Sequence, residues 1–222
     1  MRQSRVGTAM ILSHDDPDYR RRWNRMSGNK YNGAFYYSKE IVKNIIPNVV
    51  TDRNWVTVNE IGKAFDYSVV FVHNNLHPDH YEWLKKYEDC VLVCGVPSTV
   101  EKVSHIHKAV YLPLSVDVQY VEQFRCEKDK GTAFFGRKSK SKGYDFGDAD
   151  VIYGMKRQDM LPLMARYRRA YAVGRTAIEA RILGCDVLPY DPRFPDPSVW
   201  NVVDNREAAA MLQKILDGID GR

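Results

Sequence analysis

The residues best suited to chemistry lie between Phe134 and Gly143, where the sequence reads Phe-Phe-Gly-Arg-Lys-Ser-Lys-Ser-Lys-Gly. The two aromatic residues predict a buried strand, and Gly136 is expected to permit a tight turn after it. Arg137 and Lys142 then follow where the strands of an α/β sheet end, which is the usual place for a ligand. A guanidinium fork and an ammonium charge suit a diphosphate. The alternative is a solvated lysine-rich turn, and the spacing excludes a Walker phosphate loop.

A second segment, residues 171 to 188, predicts a strand, a glycine turn, a helix, a glycine stop and another strand. Thr176 and Glu179 have the spacing of a capping box, in which both side chains bond to the backbone at the helix start. Alternatively, Gly174 and the first helical turn, with Arg175, offer N–H groups to an anion. Glu179 would then accept hydrogen bonds from ribose hydroxyls. The sequence alone leaves both roles open.

Together these segments resemble the C-terminal, donor-binding domain of GT-B glycosyltransferases, especially the glycogen-synthase-like family. In that family a Gly-Arg pair and a later Lys-Gly pair grip the donor diphosphate, and a helix with a Glu-Ala pair holds the ribose. Residues 110–117 are similar to the junction that closes the first domain there, so the resemblance spans about 91–216. The donor-binding residues that it implies are Gly136, Arg137, Lys142, Gly143, Gly174, Arg175, Thr176 and Glu179.

The chain departs from that family at one of the two glutamates that the family places eight residues apart. The position eight residues before Glu179 holds Tyr171, so the resemblance does not imply the family's retaining mechanism. No metal is expected, because Asp148 and Asp150 precede a predicted strand in the wrong context and the histidines lack zinc-ligand spacing. The expected co-substrate is a nucleotide sugar linked through uridine diphosphate, with no other cofactor.

The N-terminal half supplies weaker candidates, in loops that follow predicted strands. His73 is the first candidate for a catalytic base or a donor contact, because a neutral imidazole titrates near working pH, and the alternative is a structural histidine. Asp16, after the first strand, is the second candidate base. Gly33, Asn74 and Asn75 are candidate contacts to the acceptor or to the sugar, since a glycine-started helix approaches the donor in the GT-B fold.

Strands alternate with helices through both halves of the chain, which predicts an α/β protein with parallel sheets. Strands are predicted at 8–12, 55–58, 68–72, 90–94, 109–112, 132–135, 151–153, 170–173 and 186–189, and the main helices at 34–46, 158–168, 176–183 and 205–217. A polar stretch, 119–130, marks a domain boundary. We therefore expect two small Rossmann-like domains facing across a cleft (GT-B), an acceptor-side domain at 1–118 and a donor-binding domain at 119–222. The last helix either completes the second domain or returns to the first.

Composition is that of a globular protein, with 44% hydrophobic and 27% charged residues in 222. No apolar run of roughly 18 residues and no signal peptide is evident, so a cytoplasmic protein is expected. The four cysteines are expected to be buried thiols. A formal charge of +5 favours anionic partners, and basic residues concentrate at 20–25, 137–142 and 166–169.

These features support three functional hypotheses. The first is a glycosyltransferase that moves a sugar from a nucleotide-sugar donor to an unknown acceptor hydroxyl. A modified base in DNA is one candidate acceptor, as in the compact phage DNA glycosyltransferases that share the GT-B fold. The second is a non-catalytic nucleotide or nucleotide-sugar binding protein. The third is a nucleic-acid-binding protein that uses the arginines at 20–25 and neighbouring aromatic residues.

Overall fold

The computed structural model describes residues 5–9, 50–51, 69–72, 81, 84–85 and 91–220. The chain divides into two compact units. The first comprises Met1–Pro113 with Arg206–Arg222, and the second comprises Leu114–Asn205. Each unit contains its own parallel sheet, so the chain is an α/β protein as predicted.

The first unit contains a five-stranded parallel sheet in the order β2-β1-β3-β4-β5. Its strands are β1 (Arg5–Ala9), β2 (Val50–Thr51), β3 (Val69–Val72), β4 (Val91–Cys94) and β5 (Ala109–Tyr111), and helix α1 (Pro97–Val103) joins β4 to β5. Every residue of β4 is buried, as expected for an apolar run between two parallel neighbours. Burial also raises the pKa of the Cys94 thiol to about 12, so this thiol remains protonated and inert.

The second unit contains a four-stranded parallel sheet in the order β7-β6-β8-β9. Its elements are α2 (Val118–Glu122), β6 (Lys130–Gly136), α3 (Lys138–Ser141), β7 (Asp150–Tyr153), α4 (Arg157–Ala165), β8 (Tyr167–Tyr171), α5 (Arg175–Ile182), β9 (Asp186–Leu188) and a 3₁₀ helix (Pro197–Val199). The chain runs outward from β6 to β7 and then crosses to β8 on the other side of β6. The strand order therefore reverses between β6 and β8, and ligands of such sheets bind where the carboxyl ends of those strands meet.

Strand β8 begins earlier than predicted, at Tyr167, because its central neighbour β6 also begins early. Lys130 pairs with Tyr167, and the amide N–H of Lys130 donates to the carbonyl of Arg166 at 3.0 Å. The Tyr167 ring is buried edge-on against Phe135, with centroids 5.4 Å apart. Long-range pairing thus overrides the helical periodicity that predicted a helix to 168.

The division between the units falls at 113/114, a few residues before the predicted boundary at 118/119. Backbone pairing explains why the intervening residues belong to the second unit, since the N–H of Val116 donates to Val203 and the N–H of Asn205 donates to Val116. The Ser115 hydroxyl also donates to the side chain of Asn205 at 2.8 Å. The final helix, α6 (Asn205–Asp220), starts at that point, and its residues from Arg206 onward group with the first unit.

Of the cysteines, Cys94 and Cys185 are buried as predicted, whereas Cys126 is exposed. Cys126 lies between exposed Arg125 and Glu127 in the polar stretch after α2, so the prediction for this thiol was wrong. Cys90 lies outside the described residues.

Candidate functional site

The two segments that carry the family resemblance meet at the carboxyl edge of the second sheet. Phe134 in β6 lies directly opposite Tyr171 in β8, so the residues that follow both strands emerge side by side. Gly136 and Arg137 follow on one side, and Gly174 opens α5 on the other. The structure therefore brings the predicted diphosphate loop and the predicted anion-binding helix start to the edge where the strand order reverses.

Gly174, and not Thr176, is the residue that precedes and caps helix α5. Gly174 is the N-cap, with φ 65° and ψ −142°, and its carbonyl accepts from the N–H groups of Ala177 and Ile178. Thr176 therefore lies inside the first turn, and no side chain caps the helix. The capping box of Thr176 and Glu179, one of the two alternatives that the sequence left open, is not formed, because the glycine conformation starts the helix before Thr176 can act as its cap.

Gly174→Ala should lower the free energy of unfolding by on the order of 1–2 kcal/mol, because few L residues adopt this backbone conformation. A Cβ there would meet only Leu114 Cδ1, at 3.8 Å, so the cost comes from the backbone and not from a clash. Gly131→Ala is the matched control, since its added Cβ would meet nothing within 4 Å. Urea denaturation of both variants measures the difference, and equal stabilities would contradict the assigned conformation of Gly174.

Gly136 has a different role from the predicted tight turn. Its φ is not positive, and a Cβ at this position would lie 2.7 Å from Cζ of Phe134. The glycine thus makes room for a buried aromatic ring at the end of β6. Its neighbour Arg137 is exposed in extended backbone and precedes the four-residue helix α3.

Lys142 and Gly143 end the same loop. The Lys142 side chain is exposed, and its backbone carbonyl accepts from Nη2 of Arg193 at 3.2 Å. Gly143 has φ 81°, the left-handed conformation that glycine adopts without strain. The loop is therefore fixed at its end by a contact to residues that follow β9.

Glu179 lies in an ion pair that the sequence did not indicate. Its side chain is 4% exposed, and Oε1 accepts from Nε of Arg157 at 2.7 Å. Arg157 begins α4, and its guanidinium carbon lies 5.1 Å from the centroid of the Tyr120 ring. Glu179 thus has a protein partner in this structure, and its role toward ribose stays a prediction.

Six aromatic rings cluster beside this edge of the sheet. They are Phe134, Tyr144, Phe146, Tyr171, Tyr190 and Phe194, with neighbouring centroids 4.6–6.2 Å apart. Tyr171, at the position where the resemblance would lead one to expect a glutamate, packs against Phe146 with ring centroids 5.3 Å apart. Its ring is therefore part of the aromatic cluster.

The cluster forms one wall of a cavity of about 400 Å³, here called the aromatic pocket. Tyr144, Tyr190 and Phe194 line it together with residues 172–173, which follow β8, and the loop 189–197, which follows β9. Its size and apolar lining with a few polar groups are typical of small-molecule sites. Burial raises the pKa of the Tyr190 phenol, whose hydroxyl has no hydrogen-bond partner among the described residues.

The loop 189–197 is stiff, because four of its nine residues are prolines with a fixed φ. Asp191 accepts hydrogen bonds from the N–H and the guanidinium of Arg193, which hold the pKa of this carboxyl below its usual range. Asp196 caps the following 3₁₀ helix through the N–H of Ser198 at 2.9 Å. The Pro197 carbonyl accepts from Arg181 of α5 at 2.8 Å. The pocket wall is thus largely preformed.

Two cations lie next to Phe194, a residue that lines the aromatic pocket, and this place is here called its rim. Nζ of Lys140 lies 5.8 Å from the centroid of the Phe194 ring, and the guanidinium carbon of Arg193 lies 5.9 Å from it. Asp191 pairs with Arg193, whereas no carboxylate within the described ranges pairs with Lys140. Burial and the charge of Arg137 lower the pKa of Lys140 to about 8. The rim therefore combines aromatic surface with positive charge.

Several predicted residues cannot be placed, because His73, Asp16, Gly33, Asn74 and Asn75 lie outside the described residues. In the part of the chain that is described, no three His, Cys, Asp or Glu side chains are arranged to hold a metal ion. Within the same ranges no helix is both long and apolar enough to cross a membrane.

The aromatic pocket and the Arg157 ion pair were missed by sequence reasoning. The spacing of prolines around Tyr190 and Phe194 was the available signal for a rigid pocket wall. No local signal links Arg157 to Glu179, because the packing of α4 against α5 brings them together. Comparison of the chain with protein-family models and with curated proteins gives no match, so the resemblance to GT-B glycosyltransferases stays a prediction from the sequence motifs.

Proposed function

We propose that the chain is a GT-B glycosyltransferase, with two Rossmann-like domains facing across a cleft, and that its second unit binds a nucleotide-sugar donor. One observation carries the proposal: an aromatic pocket with cations at its rim lies at the carboxyl edge of a doubly wound sheet. This edge is where α/β sheets of this order bind nucleotides. The motif resemblance supports the same location.

The chemistry of the pocket matches the parts of a nucleoside diphosphate. Faces of Tyr144 and Phe194 can stack a planar base, an interaction that contributes roughly 1–3 kcal/mol per base. Arg137 and Lys140 belong to one loop after β6 and can meet the phosphates. Positive groups held at that position would stabilise the charge that develops on the departing diphosphate.

The acceptor side of the reaction belongs to the first unit in this proposal. A hydroxyl of the acceptor attacks the anomeric carbon, and His73 or Asp16 removes its proton. The bond from that carbon to the diphosphate breaks, and uridine diphosphate leaves. A modified base in DNA remains one candidate acceptor, in keeping with the net positive charge.

A second candidate function is a binding protein that holds a nucleotide or nucleotide sugar without turnover. Two observations favour it. Tyr171 stands in the aromatic cluster where the family has a glutamate, and Glu179 is already paired with Arg157. Both glutamates of the family's pair are thus either replaced or engaged.

Isothermal titration with uridine diphosphate, a uridine-diphosphate sugar and the corresponding adenine and guanine nucleotides tests the site. We expect the parent to bind at least one diphosphate with a Kd below about 1 mM, which corresponds to roughly −4 kcal/mol. Release of free sugar from the bound nucleotide sugar then separates the transferase from the binding protein. A chain that binds no nucleotide at millimolar concentration is not of either kind.

Two tyrosine variants give that titration its control. Tyr144→Leu should weaken binding by about tenfold or more, because it removes a stacking face from the pocket. Tyr153→Leu should leave the affinity unchanged, since Tyr153 lies exposed on edge strand β7 and does not line the pocket. Melting temperatures of both variants show whether a loss comes from the pocket or from unfolding.

A further inference from the structure

The loop after β6 carries four cations, and one of them differs from the rest. Arg137, Lys138 and Lys142 have exposed side chains, whereas Lys140 is half-buried. Its neighbours are the exposed guanidinium of Arg137 and the Phe194 ring. A half-buried ammonium without a carboxylate has lost part of its hydration, so an anion at this place would be bound favourably.

Among the cations near the aromatic pocket, Lys140 is the one best placed to bind an anion in it. Phe194 lines the aromatic pocket and also lies next to Lys140. The other nearby cation, Arg193, is neutralised by the carboxylate of Asp191. Lys142, which the family resemblance implies as the phosphate contact, has its carbonyl tied to Arg193 and its side chain exposed.

We propose that Lys140, rather than Lys142, is the lysine that contacts the phosphates of the nucleotide bound in the aromatic pocket. The inference rests on the proposed nucleotide site and names the cation of that site that contacts the phosphates. An ammonium that is partly desolvated interacts with a phosphate more strongly than one in water, because the local dielectric constant is lower. Exposed Lys142 therefore contributes less to binding, as exposed charges generally do.

The environment of Lys140 also makes its contribution depend on pH. The charged group that acts on it is Arg137 on its own loop, the Arg193–Asp191 pair lies on the loop that carries Phe194, and the exposed cations at 138 and 142 flank it in sequence. Its pKa is lowered to about 8, so the ammonium is present below that pH and is lost above it. Only the charged form attracts a phosphate. Affinity should therefore fall by up to about tenfold per pH unit above 8, the limit for release of one proton.

The experiment is titration of uridine diphosphate and of uridine into the full chain and into Lys140→Met and Lys142→Met. Methionine keeps most of the apolar stem of the lysine while removing the charge that lies over Phe194. We expect Lys140→Met to weaken binding of the diphosphate at least tenfold and to leave uridine binding unchanged. Lys142→Met should change diphosphate affinity by less than about threefold.

Lys140→Arg provides a measurement that does not depend on how well the methionine variant folds. An arginine stays charged at every pH used, so the fall between pH 7 and 9.5 in the affinity for uridine diphosphate relative to that for uridine, seen in the parent, should disappear. The assignment of Lys140 is overturned if the parent and Lys140→Met bind uridine diphosphate equally well. It is also overturned if both methionine variants lose the same amount of affinity for uridine diphosphate. If the parent binds no uridine diphosphate, the proposed nucleotide site itself is overturned.

Discussion

Lys128→Met should lower the free energy of unfolding by about 3–4 kcal/mol. The ammonium of Lys128 donates to three backbone carbonyls, those of Ala165 at 3.0 Å, Tyr167 at 2.9 Å and Leu183 at 2.9 Å. An ammonium has three N–H donors, so these bonds use its full capacity. Hydrogen bonds to charged groups contribute roughly 1.5–3 kcal/mol each, and partial hydration of the freed carbonyls reduces their sum.

The position of these carbonyls explains why one lysine has so large an effect. Ala165 is the last residue of α4, and Leu183 is the C-cap of α5. The last carbonyls of a helix have no partner within it and carry the negative end of the helix dipole. Lys128 therefore satisfies two helix ends and the start of β8 with one positive charge. Methionine fills a similar volume but offers no donor.

Urea denaturation followed by circular dichroism measures this effect. Lys156→Met is the matched control, because Lys156 is exposed and makes no side-chain cap at the start of α4. It should change stability by less than about 0.5 kcal/mol, as surface substitutions usually do. A Lys128→Met variant within about 1 kcal/mol of the parent would show that the freed carbonyls find other partners.

Local sequence features predicted most strands, because an apolar run between parallel neighbours is buried on both faces. Residues 69–72 and 91–94 are such runs, and both form strands where expected. The basic loop after β6 and the glycine turn at Gly174 were also predictable, since glycine and clustered cations mark a turn at the sequence level. What joins these segments into a site is the strand order, which the alternation of strands and helices does not specify.

The partners of individual side chains could not be predicted in the same way. Glu179 has a spacing that fits a capping box and a motif that fits a ribose contact, yet it pairs with Arg157, 22 residues away in sequence. Lys128 lies in a polar stretch that reads as a solvated linker, but tertiary packing places it over the ends of two helices. Such contacts depend on how the helices pack against the sheet, and no local sequence pattern predicts which side chains that packing brings together.

Glu179→Gln should lower the free energy of unfolding by about 2–4 kcal/mol and should change nucleotide affinity little. The variant leaves the charge of Arg157 without its carboxylate. Breaking a fully buried pair costs roughly 3–5 kcal/mol, and an exposed pair less than about 1 kcal/mol. The pair in this protein lies between these limits, because Glu179 is 4% exposed and Arg157 is 36% exposed.

Arg157→Met is the matched control, because it removes the other half of the same pair. If the pair is the main role of Glu179, both single variants lose stability, and the double variant Arg157→Met/Glu179→Gln loses less than the sum of the two. That cycle isolates the interaction between the two side chains.

If Glu179 binds ribose, the substitution Glu179→Gln should change nucleotide affinity and not stability. Loss of a charged acceptor for ribose hydroxyls should weaken nucleotide binding by roughly 1.5–3 kcal/mol, which is more than tenfold, while the melting temperature stays near that of the parent. Titration with uridine and thermal denaturation of the same Glu179→Gln preparation therefore separate the two roles. If affinity falls and stability does not, the carboxylate serves the nucleotide, and the ion pair with Arg157 contributes little to the stability of the ligand-free protein.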